Sequence, residues 1–136
     1  MEIEISTDTS RLDVGRIHRW LSEQSYWAQG RTLDAVRVSI ANSICFGAYH
    51  EGEQVGFARV VTDRVTHAWL ADVFVDEAYR GQGCGKALVA AALTHPELEG
   101  ISRWILATKD AHELYAQFGF TLVAADRYMT RRIDNQ

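Results

Sequence analysis

Seven consecutive residues, Arg80-Gly81-Gln82-Gly83-Cys84-Gly85-Lys86, bring three alternating glycines between two cations. Glycine takes up positive φ at no steric cost and lets a ligand approach the main chain closely. A helix that begins in such a turn adds unpaired N–H groups and the positive end of its dipole. The chemistry this suits is the holding of an anion, a phosphate above all; the plain alternative is a tight connector that holds nothing. Spacing then narrows the choice of phosphate ligand. A P-loop requires G-x-x-x-x-G-K-[ST], yet Arg80 stands five before Gly85, and Ala87 follows Lys86, which leaves no hydroxyl for magnesium. A dinucleotide fingerprint, G-x-G-x-x-G, requires a third glycine where Lys86 or Leu88 stands.

The elements that must position this turn follow from periodicity. Ile3 and Ile5 alternate with acids as a short first strand does, and Ser10 or Asp13 can cap a helix running to about Glu23 with Ile17, Trp20 and Leu21 on one stripe. A second helix is expected over residues 33–42. From Ile44 the period changes to that of strands, predicting an antiparallel meander over 44–50, 54–62 and 67–75 with turns at 51–53 and 63–66. The glycine turn leads into a helix over about 83–94, which Pro96 keeps from continuing. Residues 104–107 read as a central strand covered on both faces. Asp110 and Glu113 form a capping box for a helix that Gly119 ends, and two last strands are expected near 120–123 and 128–133. The fold class is α/β (α+β): a mixed, mostly antiparallel central sheet flanked by helices.

The chain has 136 residues, 47% of them apolar, enough for one packed core, so residues 1–136 are read as a single domain. A net charge of −4 with no long run of one sign excludes a general nucleic-acid binder. The longest apolar run, Ala87 to Leu93, is far below membrane-spanning length, and Met1-Glu2-Ile3-Glu4 carries acid where a secretory leader carries base, so a cytoplasmic protein is expected. Cys45 and Cys84 lack the spacing of a redox or zinc pair and are read as reduced thiols, with no metal site.

One pattern does fit the turn: Q/R-x-x-G-x-G/A, filled by Arg80, Gly83 and Gly85 after Val73-Phe74-Val75-Asp76-Glu77-Ala78-Tyr79. A second element, Tyr115-Ala116-Gln117-Phe118-Gly119-Phe120, matches Y-x-x-x-G-F. In both the chain resembles the GNAT superfamily of N-acetyltransferases, from about Ile44 to its end and more loosely before that. The resemblance implies acetyl-CoA as cosubstrate. Its diphosphate would lie on the amides of Gly81, Gln82, Gly83, Cys84 and Gly85, with Arg80 and Lys86 adding charge. Its pantetheine arm would run beside the strand ending at Val75, splayed from the next strand by a bulge. The amides of Phe74 and Val75 would face the acyl group and pantetheine, and Thr108 stands where family members often carry the asparagine that bonds the pantetheine arm.

The reaction so implied needs two proton transfers. An alkyl amine with pKa near ~10.4 costs about 4 to 5 kcal/mol to deprotonate at pH 7. Asp72 is the first candidate to accept that proton, the alternative being a strand carboxylate paired with Arg59; His67 and Glu53 are lesser candidates. Tyr115, a donor at pH 7, suits protonation of the leaving thiolate, against the alternative of a core aromatic bonded to backbone. Cys84 at a helix start is read as a packing residue and not a nucleophile. His112, three residues before Tyr115, either orients the phenol or is an ordinary first-turn residue.

Tyr26 and Trp27, with Arg31 close behind, either wall an acceptor pocket or plug a small core. The expected activity is therefore acetyl transfer to a primary amine of a small molecule by direct attack in a ternary complex. A protein or peptide acetyltransferase is the alternative, and a non-catalytic acyl-CoA sensor a third. A homodimer is compatible with the size.

Overall fold

The computed structural model describes residues 2–133. Five strands form one sheet in the order β1-β2-β3-β4-β5: β1 (Glu4–Ser6), β2 (Ile44–His50), β3 (Glu53–Thr62), β4 (Ala68–Val75) and β5 (Trp104–Ile105). The first four pair antiparallel and β5 joins β4 in parallel. Among the described residues the α-helices are α1 (Val14–Arg19), α2 (Leu33–Ala41), α3 (Cys84–Leu93) and α4 (His112–Ala116). Among the described residues no helix is long and apolar enough to cross a membrane.

Two apolar layers cover the sheet. On one face Leu88, Val89 and Ala92 of α3 bury against Phe46, Ala58, Val60 and Leu70. On the other, Ile17, Trp20 and Val36 of the N-terminal helical region bury against Cys45, Phe57 and Phe74. Each fully buried aliphatic or aromatic side chain contributes about 1.5–3 kcal/mol, and the sheet that carries the site is held from both sides.

Local signals set most boundaries. Asp13 caps α1 by accepting from Arg16 N–H (3.0 Å), and the chain goes on past Arg19 as a wider turn of π type over Trp20–Gln24. Thr32 caps α2. Pro96 stands at the start of a short 3-10 turn just beyond α3. Gly119, at φ 90°, ends the α4 region, where the N–H of Phe120 returns to Tyr115 C=O.

Three expectations are corrected. The capping box at Asp110 does not form: the residue before α4 is Ala111, without a side-chain cap, and its N–H donates instead to Thr108 Oγ1 (3.0 Å). The strand at Trp104 is a two-residue edge, half-buried rather than central. The strands expected near 120–123 and 128–133 are absent; Leu122, Val123, Met129 and Ile133 are exposed. Strand propensity is expressed through packing against a neighbour, and nothing among the described residues covers these side chains.

Candidate active site

A bulge in β4 sets the site. Arg59 pairs with Ala71 and Phe57 with Phe74, so Asp72 and Val73 together oppose the single residue Ala58. Asp72 stands at φ 53°, a conformation that Asp tolerates better than most residues. The extra residue shifts the alternation of faces. Before it, Ala68 and Leu70 point into the α3 layer; after it, Val73 and Val75 do, while Asp72 and Phe74 turn to the layer of the N-terminal helices.

There Asp72 is enclosed. Its Oδ1 accepts from the Trp27 indole N–H (2.7 Å), and its Oδ2 accepts from Arg59 Nε (2.6 Å) and Arg31 Nη1 (2.7 Å). Burial by itself would raise its pKa, but the hydrogen bond and charge of Arg59, then Arg31 and the indole, outweigh burial and hold the carboxyl below its ordinary value. A carboxylate held by three donors is a poor proton acceptor, and this geometry matches the paired strand carboxylate that stood as the alternative reading of Asp72.

The same ladder sorts the two amides expected to face the acyl group. Asp76 N–H donates to Val55 C=O (2.8 Å), and Gly56 pairs with Val75 and Phe57 with Phe74. Antiparallel alternation then directs Phe74 N–H toward β3 and Val75 N–H toward the opposite edge. On that edge β5 has already parted from β4, since the two pair only at Ala68–Trp104 and Trp69–Ile105. Val75 thus offers its amide to the open groove, whereas Phe74 is buried with its ring stacked on Trp20 at 5.5 Å.

Beyond Val75 the glycine turn borders a cavity of about 370 Å³, lined by Tyr79, Arg80, Gly81, Gly83, Gly85 and Lys86 among others. Gly81 (φ 76°) and Gly83 (φ 90°) have left-handed backbones with nothing within 4 Å of where a Cβ would stand. Gly83 precedes α3 without a side-chain cap, and the first α3 bond to it comes from Ala87 N–H. The N–H groups of Cys84, Gly85 and Lys86 are therefore the helix's unpaired donors, and they suit a diphosphate. Arg80 Nε is spent on Val75 C=O (2.9 Å), with the guanidinium 5.0 Å from the centre of the Phe74 ring, so this side chain buttresses the strand end. Gln82 is exposed and reaches back to Ala78 C=O. The Cys84 side chain is buried, and burial pushes its thiol to about 11, so it packs and does not react.

This turn yields a first prediction. Gly83→Ala puts a Cβ on a left-handed backbone, at about 1–2 kcal/mol of strain, and into the space of the anion. CoA affinity measured by calorimetry is expected to fall about tenfold or more. Gly100→Ala, away from the turn and with nothing within 4 Å of its added Cβ, serves as the control; an unchanged affinity in Gly83→Ala would dismiss the cradle.

A second cavity, of about 310 Å³, opens further along the β4 edge and gathers Tyr26, Trp27, Arg31, Asp72, Thr108 and Tyr115. Tyr26 and Trp27 form one wall, edge to face at 5.0 Å. The Tyr26 hydroxyl accepts from Lys109 N–H (2.7 Å), tying the N-terminal loop to the far side of the groove. Tyr115 is buried, with no hydrogen-bond partner for its hydroxyl among the described residues, and burial, followed by Tyr26 and Asp110, raises its pKa to about 12. The phenol is a proton donor at every ordinary pH.

Not every candidate joins the cavity. His67 is exposed at the β3–β4 turn beside Thr66, Glu53 is exposed beside Arg16, and His112 is exposed on α4; none lines the cavity. In their place the cavity takes in Asp110, which sequence reasoning assigned to a cap. The only available signal was its closeness to Thr108, a hydroxyl able to serve the helix start itself.

Two cavities thus lie along one strand edge, the first rimmed by the amides at the start of α3 and the second lined by Tyr115, whose hydroxyl has no partner among the described residues. A family model described as Acetyltransferase (GNAT) family matches residues 14–120. The chain belongs to this family of acetyltransferases. It is 30% identical over 135 residues to an acetyltransferase of Gibberella zeae, covering 83% of this chain and 75% of the relative. It is 29% identical over 134 residues to the spermine/spermidine N(1)-acetyltransferase of Bacillus subtilis strain 168, covering 88% and 87%. A crystal structure from Xanthomonas campestris pv. campestris, described as a GNAT-family acetyltransferase, superposes with a TM-score of 0.93 at 46% identity, covering 98% of this chain and 94% of that one.

Proposed function

We propose that this protein acetylates a primary amine of a small molecule by direct attack while both substrates are bound. The observation that carries the reading is the unpartnered Tyr115 hydroxyl, facing the same cavity as the Tyr26–Trp27 wall and one strand edge away from the glycine turn. The tie from Tyr26 to Lys109 closes the groove where a peptide acceptor would need it open, which favours a small acceptor over a protein.

Acetyl-CoA, the cosubstrate of the family, supplies the acetyl thioester. The amides of Cys84, Gly85 and Lys86 hold its diphosphate, and Thr108, whose hydroxyl accepts from Ala111 N–H, keeps its own proton to donate to the pantetheine arm. Val75 N–H, freed from the ladder, is a preorganised donor to the oxygen on which negative charge develops. Tyr115 gives its hydroxyl proton to the departing sulfur. Asp72 keeps Trp27, Arg31 and Arg59 in place rather than taking the amine's proton, which leaves toward solvent past Asp110 at the cavity lip.

Without a strong base in the site, the enzyme depends on the small fraction of acceptor already present as free base. The value of kcat/KM for a simple alkyl amine is expected to rise about tenfold per pH unit below the amine's pKa, and a flat profile between about pH 6 and 8 would reinstate an internal base. The activity itself is tested by following thiol release from acetyl-CoA against a panel of amines and peptides. Turnover confined to small amines supports the reading, and CoA binding with no turnover on any acceptor favours a sensor.

A further inference from the structure

The electrostatics of the acceptor cavity bear on which amines it takes, an inference that rests on the acetyltransferase reading above. One carboxylate, Asp72, serves two guanidinium groups, and the cluster therefore carries one positive charge in excess. It sits in a wall where the Asp72 side chain is 3% exposed and Arg59 16%. Arg59 is engaged at two nitrogens, giving Nε to Asp72 and Nη1 to Ser43 Oγ at 3.0 Å. Arg31 is different. It spends only Nη1 on Asp72, has no other partner among the described residues, and lines the cavity with its side chain 25% exposed.

A partly desolvated guanidinium with unspent N–H donors is suited to grip a planar carboxylate through two bonds. The same cavity is lined by Asp110, a carboxylate that makes no hydrogen bond among the described residues and can face an ammonium. Lys109 adds a further cation beside the Tyr26 wall, its ammonium 4.8 Å from the centre of the Tyr26 ring. Arg31, Arg59 and Lys109 thus outnumber Asp72 and Asp110. A polyamine, with several cationic nitrogens, would meet a wall with one cation in excess.

We propose that the acceptor is an amine that carries a carboxylate of its own, held by Arg31, with its amino end toward Asp110, and that polyamines are poor acceptors despite the likeness to the spermine/spermidine enzyme of Bacillus subtilis. The test compares, on the wild-type protein, an aminocarboxylate with its methyl ester, its carboxamide, the phosphonate of equal chain length, and spermidine, each as acceptor with acetyl-CoA. The aminocarboxylate is expected to exceed the ester, the amide and spermidine in kcat/KM by about ten- to a hundredfold. It should exceed the phosphonate as well, since the fork of Arg31 matches a planar anion. In Arg31→Lys and Arg31→Met the ratio of acid to ester is expected to fall toward one, mainly through KM. A merely structural arginine would lower turnover of both and leave their ratio alone.

Ester and amide equal to the acid, or spermidine the best acceptor, would overturn the proposal while leaving the acetyltransferase reading intact. A preference for the phosphonate would replace carboxylate with phosphate as the recognised group and overturn it too. Failure of every amine, charged or neutral, would remove the transferase reading and this inference with it.

Discussion

Tyr115→Phe is expected to bind CoA and fold as the wild type does while turning over amine at about one hundredth of its kcat or less. The basis is a single proton. With its hydroxyl unpartnered and its pKa pushed up to about 12 by burial, Tyr115 keeps its proton throughout the working pH range and can only donate. General acids contribute about 10²–10⁴-fold. A thiol leaves more readily than an alkoxide or amine, so the effect should lie near the lower end, about 2.7 kcal/mol of barrier. Phenylalanine keeps the ring that packs edge-on against Phe120 at 6.0 Å, so stability should hold within about 1 kcal/mol. Because the phenol ionises only near its raised pKa, wild-type activity should show no falling alkaline limb attributable to Tyr115 below about pH 10. Single-turnover measurement decides the point, and a variant that keeps more than about half of the wild-type kcat would return Tyr115 to the status of a core aromatic.

Asp72→Ala should have the larger effect on stability. It removes the shared partner of Arg31 and Arg59, leaves the Trp27 indole N–H without its acceptor, and places alanine at φ 53°. Breaking a buried ion pair from one side costs about 3–5 kcal/mol, a large part of the roughly 5–15 kcal/mol that holds a domain together. A Tm lowered by about 10 °C or more is expected for a chain of this size. Asp72→Asn, which tolerates the left-handed backbone and still accepts from the indole, should lose less.

The pH dependence has a definite sign. The folded-state pKa of Asp72 is depressed, so its contribution is fully present above the unfolded carboxyl value near ~3.9 and is lost as pH falls through the lower folded value. Wild-type stability should therefore drop below about pH 4 more steeply than that of Asp72→Asn. Melts of the two proteins that run parallel through acid would show that the cluster contributes nothing.

Much of the framework was legible beforehand. The meander of β2, β3 and β4 follows from its alternation and turn residues, and its observed bounds differ from the expected ones by a residue at most. The turn from Arg80 to Lys86 was equally legible, because the positive φ of Gly81 and Gly83 and the free amides at the start of α3 are local consequences of glycine followed by a helix-forming Ala/Leu stretch. Tyr115 was singled out by the likeness of residues 115–120 to the family's Y-x-x-x-G-F.

What the chain's residue order determined by itself, then, was the β2–β4 meander, the main helices and the conformation of the glycine turn, for these rest on interactions within a few residues. The acceptor side was decided only by tertiary structure. Whether Asp72 faces α3 or the N-terminal helices hangs on one inserted residue in the β4 pairing, and a one-residue shift sends a side chain to the other face of a sheet. Its partners Trp27 and Arg31 lie more than forty positions away, and Asp110 entered the cavity once Thr108 took over at the start of α4. Contacts of that range are selected by how the layers pack, and no local pattern encodes them.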